Sequence, residues 1–395
     1  MKILYLHQYF RTPDESGGIR SYHLAKAMSD AGHEVVMITS HNGSKPIRKN
    51  IEGIDIWYLP IPYQNEMGTF QRILSFIRFV ISAFFTAVKI KEVTVCFATS
   101  TPLTIGLISL LLKKLKGIPY IFEVRDLWPE APIQMQVIRN PLLKKILYGF
   151  ERKIYLHARE IIALSPGIEA AIREKVPGKT IHIIPNMSDC TFFKPEITPN
   201  NLLKKYHLRE TTFRIIYFGT LGRANHLEYL LNLATVCQDH KDDVHFLIVG
   251  SGSEKHLLEK KADHLSNTSF LPSTNKQGVR QYLSLCHAAY VSFAQLPVLE
   301  TTSPNKFFDA LAAGKMILVN VNGWLRQLTE SNQCGFFADP ENPEGAAQKL
   351  REIIGNSEQI QEYQHRSREL AEKEFERGKL GKKVVEVLEK TISPT

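Results

Sequence analysis

The chain has 395 residues, 44% of them hydrophobic, and a formal net charge of +9 at pH 7. That length is too great for one ordinary core, so we expect two domains of roughly 180 residues each. The charge favours an anionic partner, and composition leaves nucleic acid, nucleotide and an anionic membrane surface open. The five cysteines include no C-x-x-C pair, which argues against a metal site or disulfides and predicts reduced thiols. The apolar run before His7 is too short for a secretory signal, so we expect a cytoplasmic protein.

Strand and helix patterns alternate from the start of the chain. Residues 2–6 predict a strand, 19–31 a helix and 35–39 a second strand, which together form a βαβ unit. Gly17 and Gly18 precede the helix without the G-x-G-x-x-G spacing, so this pair is either a loop beside a phosphate or a plain turn. The same alternation continues with strands at 54–59, 93–98, 118–124, 160–165 and 180–184, and helices at 70–90, 101–116, 141–158 and 166–175. It predicts a doubly wound parallel sheet.

Residues 70–89 combine eleven large apolar residues with three basic ones in one predicted helix. The longest uncharged run, Phe79 to Val88, is far shorter than the roughly 20 residues that span a bilayer. A buried core helix is one interpretation. We favour the other, an amphipathic helix that enters the headgroup region of an anionic membrane.

The alternation of strands and helices becomes irregular after residue 186 and resumes near residue 213. This interruption places a domain boundary between the two positions. We therefore predict a first domain over 1–195 and a second over 200–377. The second half repeats the alternation, with strands at 213–219, 244–250, 269–271, 288–293, 316–319 and 335–338. Residues 357–392 are helical with an expected break at Gly378, and the segment 378–395 is expected to pack back on the first domain.

The stretch between the predicted strands 288–293 and 316–319 has the marks of a ligand site. Ser303 is expected to cap a short helix, with Pro304 in its first position and Gly314 ending it. Such a loop lies at the carboxyl ends of parallel strands, where ligands bind. Free N–H groups from Ser303 to Lys306, the helix dipole and the Lys306 ammonium then favour an anion such as a diphosphate.

Asp309 lies one and a half turns into this helix, too far along to cap it. Its carboxylate either accepts hydrogen bonds from hydroxyl groups of the molecule that carries the phosphate, or pairs with Lys306 on a solvated face.

Several segments resemble glycosyltransferase family 4, whose members are retaining enzymes of GT-B architecture. I-P-N-M-S-D at 184–189 with F-K-P at 193–195 is similar to I-P-N-G-V-D…F-x-P, F-F-D-A-L-A-A-G at 307–314 to L-L-E-A-M-A-x-G, and C-G-F-F-A-D-P at 334–340 to T-G-x-L-V-x-P. The match runs over essentially the whole chain. It implies an α/β fold with two Rossmann-like, doubly wound parallel-sheet domains that face each other across a cleft. F-E-V-R-D-L-W-P-E at 122–130 and S-P-N-K at 303–306 further resemble bacterial enzymes of the L-fucosamine transferase type.

The resemblance implies the donor site. Asp309 holds the position of the second acid of the family's E-x7-E motif, which binds the nucleotide ribose, and Thr301 stands in place of the first acid. Thr220 and His226 replace the family's usual Arg and Lys, so the diphosphate is assigned to the remaining cations. The implied donor-binding set is Gly17, Gly18, Gly219, Arg223, Thr301, Thr302, Ser303, Asn305, Lys306 and Asp309, of which Arg223 and Lys306 are also assigned to catalysis.

A metal ion is not expected at this site, because the sequence contains no D-x-D motif to hold one under the leaving diphosphate. Backbone N–H groups and fixed cations are the alternative means of neutralising that charge. The donor is expected to be a UDP-linked sugar, used as a substrate without any cofactor.

On the acceptor side, Arg125 and Asp126 stand where the family often has His-Asp. Asp126 is expected to orient or deprotonate the acceptor hydroxyl, with Glu123 and Glu130 as competitors. The alternative is that Asp126 caps the turn that follows it. His7 is expected to face the same cleft.

The resemblance thus predicts transfer of N-acetyl-L-fucosamine, or a related deoxy or acetamido sugar, to a polyprenyl-diphosphate-linked saccharide in O-antigen or capsule synthesis. The enzyme would lie on the inner face of the bacterial plasma membrane. The alternatives are a nucleotide-sugar epimerase of the same fold and a non-catalytic scaffold that binds nucleotide sugar. No nucleic-acid partner is expected, since basic residues interleaved with aromatics occur only at 70–89.

Overall fold

The first domain is built on one twisted, mostly parallel sheet. The computed structural model describes residues 1–15, 17–64, 67–196, 198 and 200–392. The strands lie in the order β3-β4-β2-β1-β5-β6-β7-β8. Their bounds are β1 Lys2–Leu6, β2 Glu34–His41, β3 Ile47–Ile51, β4 Ile54–Pro60, β5 Val95–Thr99, β6 Tyr120–Val124, β7 Glu160–Ala163 and β8 Ile181–Ile183.

Helices cover both faces of this first sheet. They are α1 Arg20–Asp30, α2 Thr69–Lys89, α3 Ile105–Lys116, α4 Glu130–Gln134, α5 Pro141–His157 and α6 Pro166–Lys175. Apolar side chains of α2, α3 and α5 share one core with one face of the sheet, and α1 packs in a second core on the other face. The predicted helix at 101–116 begins only at Ile105, because Thr101 has a left-handed φ of 93° and turns the chain.

The hairpin of β3 and β4 was missed by the sequence patterns. β3 pairs antiparallel with β4 at the edge of the sheet. Its side chains Arg48, Lys49 and Asn50 are all exposed, so the strand carries no apolar alternation to reveal it. Glu52 and Gly53 both have positive φ, as a two-residue hairpin turn requires.

The second domain holds a parallel sheet in the order β11-β10-β9-β12-β13-β14. The strands are β9 Phe213–Thr220, β10 Val244–Ser251, β11 Thr268–Leu271, β12 Ala288–Val291, β13 Met316–Val319 and β14 Gly335–Phe337. The helices are α7 Asn200–Lys205, α8 Glu228–Asp239, α9 Lys255–Lys261, α10 Lys276–Ser284, α11 Asn305–Ala312, α12 Trp324–Ser331, α13 Pro343–Ile354 and α14 Ser357–Leu370, with a 3₁₀ helix at Pro297–Thr301. Two parallel α/β sheets are the architecture expected from the sequence.

The chain then crosses back to the first domain. A π-helical turn at Ala371–Phe375 follows α14, and α15 runs over Arg377–Ile392 and packs on α1, where Gly381 lies against Ala27. The expected break at Gly378 is wrong. The helix begins one residue before it, because the Glu376 carboxylate accepts hydrogen bonds from the Gly378 and Lys379 amides at 2.7 and 3.1 Å and caps the helix there.

Loops at the carboxyl ends of the strands bring the domains together. A Cβ on Gly18 would lie 2.7 Å from the Asn305 Nδ2 atom, so a larger residue in the loop before α1 would displace the Asn305 side chain of α11. The Ser165 hydroxyl donates to the Thr301 carbonyl at 2.5 Å, and the Val298 amide donates to Gln134 Oε1 at 2.9 Å. The site is therefore enclosed between the two domains.

Candidate active site

A cavity of about 800 Å³ opens at the carboxyl ends of the second sheet. The ends of β9 and β10, the loop before α10 and the start of α11 form its walls, and Gly17 and Gly18 close it from the first domain. The residues lining it include Gly219, Thr220, Asn225, Ser273, Thr274, Asn275, Lys276, Phe293, Pro304, Asn305, Lys306 and Asp309. A cleft at the carboxyl ends of parallel strands is where an open α/β sheet binds its ligand.

The start of α11 faces this cavity. Pro304 occupies the N-cap position, and no side chain caps the helix. The expectation that Ser303 caps it is wrong. The Ser303 hydroxyl instead accepts from the Asn186 amide at 3.1 Å and is buried against the first domain. The first helical N–H groups, at Asn305 and Lys306, are thus left for a ligand. Gly314 has a φ of 62° after the helix, as the sequence predicts.

Lys306 holds its ammonium group inside the cavity without a carboxylate partner among the described residues. Its Nζ donates to the Tyr217 hydroxyl at 3.0 Å and to Asn225 Oδ1 at 2.8 Å. It also lies 4.2 Å from the centre of the Tyr217 ring and 5.2 Å from that of Phe293. Burial lowers the pKa of Lys306 to about 7. An ammonium has three donors, so one remains for an anion.

Asp309 faces the cavity from the next turn of α11. Its carboxylate lies 3.5 Å from Lys276 Nζ and does not pair with Lys306, which excludes the second interpretation of the sequence. Burial raises the pKa of this carboxyl, and Lys276 opposes the rise. With one long contact to protein, the carboxylate can accept hydrogen bonds from hydroxyl groups in the cavity.

Thr301 and Thr302 lie outside the cavity. Their hydroxyls donate to Val298 O at 2.7 Å and Leu299 O at 2.8 Å in the preceding 3₁₀ helix. Gly167 packs against Thr301, which lies at the domain interface. These contacts leave neither hydroxyl directed at a donor, contrary to the donor-binding set expected from the sequence.

Arg223 and Lys306 are not brought into one cavity. Arg223 lines a separate cavity of about 440 Å³, formed with residues 134–137, Arg139 and Leu296. Near Arg223 the Ala294 amide donates to the Ala224 carbonyl at 2.9 Å. Of this pair, Lys306 lines the larger cavity at the end of β9 and Arg223 lines the smaller one.

Asp126 follows β6 on the opposite side of the cleft and is exposed to solvent. Its Oδ2 accepts from the Thr101 hydroxyl at 3.3 Å. Among the described residues no backbone amide of the following turn donates to this carboxylate, so the structure gives no support to the alternative that Asp126 caps that turn. The protein atoms crowded around this carboxyl raise its pKa although solvent reaches it, while Arg125 and Thr101 lower it.

The other acceptor-side residues differ in accessibility. His7 is buried at the end of β1 with its Nδ1 unpartnered, and burial followed by the charge of Arg125 lowers its pKa, which favours a neutral ring. Glu130 is held by the Tyr148 hydroxyl at 2.5 Å and by Gln134 Nε2 at 2.7 Å.

Glu123 is not placed to orient or deprotonate an acceptor hydroxyl, contrary to the prediction from the sequence. It is fully buried, and its carboxylate accepts from Arg20 Nε at 2.9 Å and from the Thr99 hydroxyl at 2.9 Å. Both oxygens are occupied inside the domain, so this side chain holds α1 against the sheet.

The sequence patterns missed Lys276 and Asn225, which contact Asp309 and Lys306. Lys276 follows Asn275, whose side chain caps α10 by accepting from the Gly278 amide at 3.1 Å. Lys306 is identified from the sequence because it lies where a loop after a predicted strand leads into a helix. Residues 272–276 follow the predicted strand at 269–271 in the same way, so the same signal identifies Lys276. Among the described residues no group of three or more His, Cys, Asp or Glu could hold a metal ion.

Two family models match the chain. A glycosyl transferase 4-like domain matches residues 17–187, and glycosyl transferases group 1 matches residues 200–373. A curated relative, an uncharacterized glycosyltransferase of Haemophilus influenzae, is 28% identical over 179 residues. This alignment covers 44% of the chain and 49% of the relative, so it spans about half the length of that protein.

Solved structures with the same architecture cover nearly the whole chain. Sucrose-phosphate synthase from Thermosynechococcus elongatus has a TM-score of 0.81 at 15% identity, with 100% of both chains covered. HepE from Anabaena, in complex with UDP, has a TM-score of 0.71 at 16% identity, over 99% of this chain and 100% of that one. WaaG, a glycosyltransferase involved in lipopolysaccharide biosynthesis, has a TM-score of 0.69 at 14% identity, over 98% and 99%.

At such identities the structural likeness establishes the fold, and the two family models establish the domains. The models follow each other along the chain in the order of the two sheets, and residues of both domains line the cavity. The chain therefore belongs to the glycosyltransferases, with a glycosyl transferase 4-like domain followed by a group 1 domain in the GT-B fold.

Proposed function

We propose that the protein is a retaining glycosyltransferase that moves a sugar from a UDP-sugar to a lipid-linked saccharide. The observation that carries the proposal is the pairing of Lys306 and Asp309 on successive turns of α11, both facing one cavity. A nucleoside diphosphate presents an anion and a pair of ribose hydroxyls. These are the two chemical groups that an ammonium and a carboxylate recognise.

On the donor side, the diphosphate would lie at the start of α11. The free amides of Asn305 and Lys306, the helix dipole and the Lys306 ammonium would stabilise the negative charge that grows as the sugar leaves. Asp309 would accept hydrogen bonds from the ribose. The HepE structures in complex with UDP and UDP-glucose support UDP as the nucleotide. The donor set requires no metal ion, and the sugar that we propose remains N-acetyl-L-fucosamine or a related deoxy or acetamido sugar.

On the acceptor side, Asp126 would hold the attacking hydroxyl. It is the accessible carboxylate after β6, and a raised pKa makes it a better proton acceptor than an ordinary aspartate. Arg125 lies beside it, and its guanidinium is 3.7 Å from the Cβ position of Gly18. The acceptor would thus approach Asp126 from the first domain while the donor remains on the second.

The lipid acceptor is supported by an apolar outer face on the first domain. α2 buries Phe79 completely but exposes Phe70 and Phe85 by 78% and 63%. The neighbouring helices α3 and α5 expose further large apolar side chains, namely Leu107, Leu115, Leu142, Leu143, Ile146 and Leu156. We call this surface of α2, α3 and α5 the apolar face. Many exposed large apolar side chains on neighbouring helices are typical of an interface with a membrane or a protein.

The charge of these helices favours an anionic membrane. Three basic residues lie in α2, three in α3 and four in α5, and the one acid is Glu151, which is buried and paired with Lys175 at 2.7 Å. Each exposed basic residue near an anionic surface contributes about 1 kcal/mol.

Among the described residues one helix, Phe70–Lys89, is long and apolar enough to cross a membrane. Its inner side is fixed to the first sheet through Phe79 and Ala83. Since that side belongs to the domain core, we propose a surface contact with the inner leaflet of the plasma membrane.

This location fits a role in O-antigen or capsule synthesis, and the likeness to WaaG supports the pathway class. An acceptor carried on polyprenyl diphosphate presents its hydroxyls at the membrane surface, which the apolar face would approach.

The test is calorimetric titration with UDP of the wild type and of Asp309→Asn. We expect UDP to bind and the variant to bind roughly tenfold more weakly, because a charge-assisted hydrogen bond is lost. The matched control, Asp263→Asn, changes an exposed acid remote from the cavity and leaves the affinity unchanged. Equal affinity of Asp309→Asn and wild type would refute the assignment.

The reaction itself is tested by release of UDP from a UDP-sugar with and without lipid-linked acceptor. A transferase releases UDP only with acceptor. An epimerase converts the donor without it, and a scaffold does neither.

A further inference from the structure

The smaller cavity beside the candidate donor site contains two arginines and no acid. Its walls are residues 134–137, Arg139, Arg223 and Leu296. Arg139 and Arg223 are exposed, and no carboxylate among the described residues forms an ion pair with either. Arg139 uses only its Nε, which donates to the Gln136 carbonyl at 3.0 Å. Two guanidinium groups thus present most of their donors to one space of about 440 Å³.

The two guanidinium groups are suited to bind a diphosphate. Guanidinium groups form paired hydrogen bonds with phosphate oxygens, and two of them balance the charge of two linked phosphates. The donor diphosphate already has the start of α11 and Lys306 in the larger cavity. Arg139 and Arg223 line the smaller cavity and do not line the larger one, so they are available to a second anion.

The smaller cavity borders the apolar face. Val137, in its wall, is exposed, and α5 begins two residues after Arg139 with the exposed side chains of Leu142, Leu143 and Ile146. An anion held by the arginines would therefore lie beside the surface that we propose contacts lipid. A molecule that carries both a diphosphate and an apolar chain can bind the two arginines and contact the apolar face at the same time.

The geometry points to a diphosphate site for the lipid carrier of the acceptor, formed by Arg139 of the first domain and Arg223 of the second. The inference rests on the proposed function and deepens it, because it gives the diphosphate of the lipid carrier a binding site in the fold. It also assigns Arg223 to the acceptor and not to the donor. Since the two arginines come from different domains, a bound carrier would hold the cleft closed around the reacting sugars.

The experiment is calorimetric titration with farnesyl diphosphate in the presence of saturating UDP, which keeps the donor site filled. We expect binding by the wild type and losses of about tenfold or more in Arg139→Ala and in Arg223→Ala. UDP affinity, measured separately, is expected to be the same in both variants as in the wild type. The matched control is Arg48→Ala, an exposed arginine on the β3 hairpin at the far edge of the first sheet.

Two further ligands identify the source of the anion. Farnesol lacks the diphosphate and inorganic pyrophosphate lacks the chain, so each is expected to bind more weakly than farnesyl diphosphate. Pyrophosphate binding as tightly as farnesyl diphosphate would overturn the lipid carrier.

Unchanged farnesyl diphosphate binding in Arg139→Ala would overturn the site. Loss of UDP affinity in Arg223→Ala would return that residue to the donor. Failure of the wild type to bind UDP would instead contradict the proposed function, so the two failures are distinguishable.

Discussion

Two helices of this protein, α11 and α2, depart in opposite ways from the usual distribution of charged side chains outside and apolar side chains inside. α11 places a lysine and an aspartate in an enclosed cavity, whereas α2 exposes phenylalanines on an outer surface. Each arrangement costs free energy in the isolated protein, because buried charges and exposed apolar surface are both unfavourable. The comparison teaches that each helix is shaped for a partner, a polar one for α11 and an apolar one for α2.

The largest expected effect is a difference in the free energy of unfolding between variants on the two sides of α2. Phe79→Ala removes a fully buried ring and is expected to lower the free energy of unfolding by about 3–5 kcal/mol. Phe85→Ala, on the exposed side of the same helix, should change it by about 0.5 kcal/mol or less. Urea unfolding followed by circular dichroism measures both. Similar losses would mean that α2 does not present one face to the outside.

The next effect concerns the buried cation of α11. Lys306→Ala is expected to reduce kcat/KM for the nucleotide sugar roughly a hundredfold or more, since Lys276, the other lysine that lines the cavity, contacts Asp309 instead. Steady-state kinetics with and without EDTA measures this, and chelation should leave the wild-type rate unchanged. Lys255→Ala, a surface lysine paired with Glu259, is the control. A strict requirement for added magnesium would contradict the proposed donor site.

Membrane attachment tests the apolar partner of α2. The double change Phe70→Ser with Phe85→Ser should weaken co-sedimentation with anionic vesicles by roughly tenfold or more, because two exposed rings no longer leave water. Added salt should weaken binding of the wild type only in part, since it screens charges beyond about 8 Å. Leu257→Ser changes an exposed leucine of the second domain and is the control. If the double variant co-sedimented with anionic vesicles as strongly as the wild type, membrane attachment through α2 would be contradicted.

The smallest effect is the pH dependence of UDP binding. Burial lowers the pKa of Lys306 to about 7 in the free protein, and a bound diphosphate would raise it again. Below pH 7 the ammonium is charged in both states. Above pH 7 the free protein loses this proton and the complex keeps it, so affinity should fall by at most tenfold per pH unit.

Calorimetry in buffers of different ionisation enthalpy should show proton uptake on UDP binding at pH 8. Lys306→Arg should bind without that uptake, because a guanidinium does not lose its proton. Proton uptake that persists in Lys306→Arg would assign the titration to another group.

The sequence patterns predicted the parallel sheets and the position of Lys306 and Asp309, because buried strands and helix ends leave local signals. They failed where a contact between distant segments decides the outcome. Ser303 has the composition of a helix cap, but Asn186 of the other domain takes its hydroxyl. Glu123 follows the pattern of an acid near a strand end, yet Arg20 encloses it in the core. The sequence assigns Arg223 and Lys306 to one diphosphate, but in the structure the two side chains line different cavities.

The crossing of α15 has a mechanical consequence. The chain passes between the domains twice, and the two passages are paired by backbone hydrogen bonds from the Ser188 amide to the Phe375 carbonyl at 2.7 Å and from the Arg377 amide to the Ser188 carbonyl at 3.0 Å. Pulling the domains apart or twisting them would break this pairing, whereas rotation about the line through residues 188 and 376 preserves it. We therefore expect the cleft to open and shut by a hinge rotation about this line, and we expect hydrogen exchange at these two amides to stay slow with and without UDP.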